Sequence, residues 1–199
     1  MDQNKLSLYA TQAQTNVSFT SFMTAVVVFF TGLLIASFDK YNILIKIPIS
    51  FLIISIFGFL YSTLIFANAT GKIVNGDEKS FKRHMFLGDV ISEYLGVYLL
   101  VFSIPLVIGV ITQDNFVRII SILSALIGLA VYQFSSVSIM EKHFNLKHKF
   151  FAKCTLLIGT LLLIAQFLNY YFILISVLFL IWLMIITFLS IRWGRGSVK

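Results

Sequence analysis

Asp89 and Glu93 carry the clearest chemistry in the chain. They lie inside an apolar run, MFLGDVISEYLGVYLLVFSIPLVIGVI over residues 85–111, that otherwise reads as a membrane span. The remaining acids, Asp2, Asp39, Asp77, Glu78, Asp114 and Glu141, fall in tails or loops. An ionisable side chain in hydrocarbon costs about 2.5–3.5 kcal/mol on insertion scales, so it is expected to face a bundle interior or a wet cavity. Their four-residue spacing puts both carboxylates on one helical face. Two acids on one face of a cavity suit binding of a proton or a small cation. Glu93 is the deeper, roughly 12 Å along the axis from Met85. The competing expectation is structural: the helix N-terminus favours negative charge, and Lys82, Arg83 or a base in the 141–153 loop neutralises the pair.

Other reactive side chains point nowhere specific. His84, His143 and His148 all fall at the borders of apolar runs, and their spacing with Glu141 matches no metal-binding pattern. Cys154, the single cysteine, excludes an intramolecular disulfide and multi-cysteine metal sites. There is no GxSxG, no HExxH and no histidine within a span, so the chain is not expected to be an enzyme, and no cofactor is expected.

The elements that must hold these acids are membrane helices. Of the 199 residues, 59% are hydrophobic and 12% charged, far from a soluble globular balance. The polar stretches are too short to bury a core of their own, so a single transmembrane domain spanning residues 1–199 is expected. The first apolar run starts near Val17 with no short h-region or cleavage site, so it is expected to serve as the insertion signal. A bilayer core is about 30 Å thick and takes about 20 helical residues. The last run, residues 150–191, would make a helix of roughly 60 Å and must fold back. Its turn-compatible point is QFLNYY, where Asn169 can take the left-handed conformation that ends a helix. The expected fold is therefore an all-α polytopic bundle of six spans, about 17–38, 47–69, 85–111, 116–140, 152–168 and 171–191, arranged as three hairpins.

Charge sets the expected orientation. Lys5, Lys72, Lys79, Lys82, Arg83, Lys142, Lys147, Lys149, Lys153, Arg192, Arg195 and Lys199 fall on one side; Lys40, Lys46 and Arg118 fall on the other. The positive-inside rule then puts both termini in the cytoplasm of a plasma (inner) membrane protein. The net charge of +7 clusters between spans, which points to anionic headgroups of the lipid bilayer and not to nucleic acid. The segment 141–153, which mixes bases with Phe144, Leu146, Phe150 and Phe151, suits a short helix lying in headgroups. Arg118 is expected to snorkel to the outer interface.

Small and polar residues mark the faces expected to meet protein. In the third span these are Gly88, Asp89, Ser92, Glu93, Gly96 and Ser103, with Val90, Tyr94, Tyr98 and Phe102 on the remaining surface. In the fourth they are Ser121, Ser124, Ala125, Gly128, Tyr132 and Ser135, while the sixth, with few polar residues, is expected to face lipid. Asn68, Tyr132 and Gln133 fall at the depth of the acids, so they are expected to line a cavity open to the cytoplasm.

The functional expectation is a channel- or transporter-like protein, a homo-oligomer, that handles a small cation or proton at Asp89 and Glu93. The alternative is a membrane scaffold or effector subunit, whose basic loops dock a soluble cytoplasmic partner or whose spans perturb the bilayer.

Overall fold

The computed structural model describes the backbone of residues 3–144 and 148–197 and the side chains of residues 6–133 and 150–192. Among the described residues all regular structure is helical: α1 (Gln3–Ala36), α2 (Lys46–Val74), α3 (Glu78–Ile111), α4 (Asn115–Phe144), α5 (His148–Phe167) and α6 (Phe172–Ser197), with two short 3₁₀ turns, Phe38–Lys40 and Ile43–Ile45, between α1 and α2. Each of the six helices holds a stretch long and apolar enough to cross a membrane.

The breaks between helices have local chemical causes. Asn42 accepts a hydrogen bond from the Leu44 amide at 3.2 Å ahead of α2, and Pro48 sits in the first turn of that helix, where its missing N–H is no loss. Asp114 caps α4 by accepting from the amides of Phe116 and Val117 at 2.8 and 3.1 Å. α5 ends as QFLNYY predicts. Asn169 has φ 53°, its amide donates to the Gln166 carbonyl, and the Tyr170 amide reaches back to Ala165. That pair of bonds is a Schellman closure on an asparagine in place of glycine.

Three helices run past the expected span limits at the same end. α1 starts well before Val17, α2 continues past Ala69, and α3 starts before Met85. Their ends share a small core of Ala13, Phe66, Ala69, Ile73, Phe81 and Met85, which packs the early turns of α1 against α2 and α3. The Tyr9 ring stacks on Phe81 with centroids 5.0 Å apart, and its hydroxyl donates to Glu78 at 3.3 Å. At 34 residues α1 is about 51 Å long, well beyond a bilayer core.

α3 is the central helix and packs against α2, α4, α5 and α6. Its aromatic side is as buried as its small-residue side: Tyr94, Tyr98, Leu99 and Phe102 join Phe51, Leu162 and Phe179 in the largest core cluster. The two outer assignments change places. Ser176, Thr187 and Ser190 of α6 are buried, whereas Ser124 and Gly128 of α4 are exposed and α4 is the least buried span. A low count of polar residues is a poor guide to lipid exposure here, because α6 presents Phe179, Leu183 and Ile186 to the core. The expected headgroup helix over 141–153 is not a separate element. Residues 141–144 continue α4 and 148–153 open α5; residues 145–147 and the side chains of 134–149 lie outside the described residues.

Candidate functional site

α3 is started firmly. Gly76 turns the chain at φ +74°, a conformation other residues resist, and the Asp77 carboxylate accepts from the Ser80 amide at 3.0 Å as N-cap. Hydrogen bonding from the Ser80 hydroxyl, and next from its amide, holds the Asp77 carboxyl below the ordinary carboxylate range. Lys82 pairs with Glu78 at 2.7 Å, one turn along, rather than reaching down to Asp89.

The helix runs regularly to Ile91 and then changes type. Ser92–Val97 is π-helical, and the Tyr98 amide donates to the Glu93 carbonyl five residues back. A π segment inserts one residue into the helical path, and such segments collect at functional sites. In an α-helix the residue stacked on Glu93 would be Val97, four positions on. In the π register it is Tyr98. For this reason a helical wheel at about 100° per residue places Tyr98 away from the carboxylate, while the folded chain stacks it on the same side.

Glu93 is 2% exposed. Tyr94 and Tyr98 are buried beside it, with ring planes 9° from parallel and centroids 5.7 Å apart, and both phenols lie within electrostatic range of the carboxylate. Gln133 of α4 donates through Nε2 to the Tyr98 hydroxyl oxygen at 2.8 Å and to the Ala152 carbonyl at 2.9 Å. Tyr94 shares a hydrogen bond with Ser190 of α6. The half-buried Tyr132 lies within electrostatic range of both phenols. Four helices thus converge on one polar cluster.

Asp89, half-buried, lies on the other side of that cluster and accepts from Asn16 Nδ2 of α1 at 3.3 Å. Of the residues expected from the sequence, Glu93, Tyr132 and Gln133 are brought together and Asp89 stands one turn away. Asn68 is exposed on α2, and among the described residues no hydrogen bond ties it to the cluster. The sequence reading passes over Tyr94, Tyr98 and Ser190; for Tyr98, nothing in the residue types marks the π segment that brings it to the side of Glu93.

Two outward grooves among the described residues are apolar. One of about 510 Å³ runs between α3 and α4 along Val101, Ile104, Phe116 and Ile120; another of about 550 Å³ runs between α5 and α6 along Leu161, Ile164, Leu178 and Ile185. Neither is lined by Glu93 or Asp89. No protein-family model matches the chain, and no curated protein and no solved structure matches it either.

Proposed function

We propose that this chain is a channel- or transporter-like integral membrane protein that handles a proton or small cation at Glu93. The observation that carries the reading is a carboxylate sealed at the centre of a helix bundle, in a π-helical segment, among two tyrosines and a glutamine amide. Burial in hydrocarbon penalises such an acid, and its retention there points to a role. Asp89, about 6 Å nearer the end where α1, α2 and α3 protrude, serves as the outer acid of the pair and takes up the ion first. Tyr132 and Gln133 line the inner site, and Asn68 flanks the approach. The reading carries with it six spans as three hairpins, both termini in the cytoplasm of the plasma membrane, anionic headgroups around the basic loops, and a non-catalytic homo-oligomer whose ion path opens to the cytoplasm.

Flux into proteoliposomes tests it. Glu93→Gln keeps shape and hydrogen bonding but removes the charge, so flux falls sharply, with a smaller loss for Asp89→Asn, while elution on size exclusion stays unchanged. Unchanged flux in the double variant rejects the reading.

One feature favours the scaffold alternative. The protruding ends of α1, α2 and α3 have their own small core, which gives a soluble cytoplasmic partner a rigid surface. In that case Phe81→Ala, which opens the protrusion, abolishes partner capture and leaves flux out of consideration.

A further inference from the structure

The π segment is not held by α3 alone. π-helical turns are rare and occur as single insertions, so a segment that persists in the middle of a buried helix needs support from its surroundings. α2 supplies it with one face, Ser55, Gly58 and Phe59. Ser55 is fully buried, and its hydroxyl donates to the Gly96 carbonyl, inside the π segment, at 2.8 Å. At Gly58 the two backbones touch: a Cβ there would lie 2.7 Å from the Leu95 carbonyl carbon and 2.8 Å from the Gly96 nitrogen. Across the same contact a Cβ on Gly96 would lie 2.7 Å from the Phe59 ring. α2 is therefore shaped to a swollen helix, and the Ser55 hydroxyl gives it a directional contact with the segment's backbone.

The register has a chemical consequence. The Tyr98 amide bonds to the Glu93 carbonyl, so Tyr98 and not Val97 stacks on the buried acid. Relaxing the segment to an α-helix would rotate one half of α3 against the other by about 100°, and would take the phenol away from both Glu93 and Gln133. We propose that Ser55 is a positioning residue: by holding Gly96 it keeps α3 in the π register that sets Tyr98 above Glu93. The proposal rests on the reading of Glu93 as the ion site, and its test separates the two.

Four variants of the full chain suffice: Ser55→Ala, deletion of Val97, the two combined, and deletion of Ile104 in the regular part of α3 as control. With Val97 removed, Tyr98 becomes the fourth residue after Glu93, so an ordinary α-helix places it where the π register does. Size exclusion and thermal unfolding in detergent read the register with no reference to transport. The Val97 deletion is expected to stay folded with a melting temperature near that of the parent chain, while the Ile104 deletion aggregates. Ser55→Ala is expected to lower the melting temperature of the parent chain and to leave that of the Val97-deleted chain almost unmoved. In flux, loss of one directional hydrogen bond is expected to bring roughly a tenfold fall for Ser55→Ala, restored in the combined variant. If the Val97 deletion is as disruptive as the Ile104 deletion, the register argument is wrong whatever flux does. Equal destabilisation by Ser55→Ala in both backgrounds makes Ser55 a packing residue only. Flux that ignores Glu93→Gln overturns the ion reading, and the unfolding cycle still decides what holds the register.

Discussion

The guanidinium of Arg118 stands 4.7 Å above the ring of Phe167 and donates through Nη2 to the carbonyls of Gln166 and Phe167, each at 3.4 Å. Instead of snorkelling outward, the side chain is 8% exposed and seats its charge on the C-terminus of α5, where the helix dipole favours a cation. Gln166 reaches on from there to the Leu106 carbonyl at 2.6 Å, so α3, α4 and α5 are tied together at one end of the bundle.

The first expectation follows from that geometry. Arg118→Leu removes the donor to two helix-end carbonyls; that of Gln166 keeps the Asn169 amide, so the unsatisfied group is the Phe167 carbonyl, a loss of about 1–3 kcal/mol. Arg118→Lys keeps the charge but not the planar fork that lies on the ring and reaches two carbonyls. Both variants should melt below the parent chain in detergent. A lysine variant as stable as the parent would mean that charge at the helix end suffices.

Close packing makes an equally sharp contrast between two glycines. Gly58→Ala forces a methyl group into the backbone of Leu95 and Gly96 and should destabilise the chain by about 1–3 kcal/mol. A Cβ on Gly128, which is exposed, meets nothing within 4 Å, so Gly128→Leu should leave folding and melting unchanged. Ser176→Leu, at a buried position of α6, should overpack the core instead of being silent. Should Gly128→Leu shrink the particle on size exclusion while the chain stays folded, α4 is the contact between subunits.

Acidification should loosen the start of α3. The Asp77 carboxyl lies below its ordinary value because the ionised form accepts from the Ser80 hydroxyl and from its amide, so the cap is fully present above the unfolded-state value of 3.8. It is lost as pH falls through the folded value. Protection of the Ser80 amide, its exchange rate relative to an unstructured amide at the same pH, is expected to be high at neutral pH and to fall as Asp77 is protonated, while Asp77→Asn, still a good cap, removes that change in protection. Protection at Ser80 that does not respond to acid would exclude capping by the charged form.

How much of this is legible in the sequence depends on which physical rule governs each element. The long apolar runs and the turn at Asn169 follow from hydrocarbon thickness and from one residue able to take positive φ, and both read off directly. The extension of α1 is half visible: Leu6, Tyr9, Ala13 and Val17 have helical spacing, but only the docked Phe81 and Glu78 decide that it folds. Faces are read less well. A wheel of fixed pitch puts Asp89 and Glu93 on one face, whereas Asp89 meets Asn16 of α1 and Glu93 is buried in the polar cluster. The wheel also errs at Tyr98, where the path has gained a residue, and no side chain announces the change. Burial of α6 is invisible for another reason: in lipid an apolar face and a core face have the same composition.

Tyr98 and Gln133 should prove to be one unit. The Ala152 carbonyl can only accept, so it fixes Gln133 with Nε2 toward it, and the same nitrogen then donates to the Tyr98 oxygen. Tyr98→Phe removes one acceptor and leaves a buried N–H short of a partner. Gln133→Leu takes the donor away from the Tyr98 oxygen, while the Ala152 carbonyl keeps its place in the α5 ladder. Each single variant is expected to cost about 1–3 kcal/mol because an unsatisfied buried group is left behind. Combining them removes the Tyr98–Gln133 bond from both sides, so the double variant should be less damaged than the sum by about 0.5–1.5 kcal/mol, read from unfolding in detergent. Under the ion reading Tyr98→Phe should also lower flux with assembly intact, since it takes a hydroxyl away from Glu93 while keeping the ring in the Tyr94 stack. Strict additivity of the two unfolding losses would show that Gln133 serves Ala152 alone, and the polar cluster would then contain Glu93 and the tyrosines without an amide to orient them.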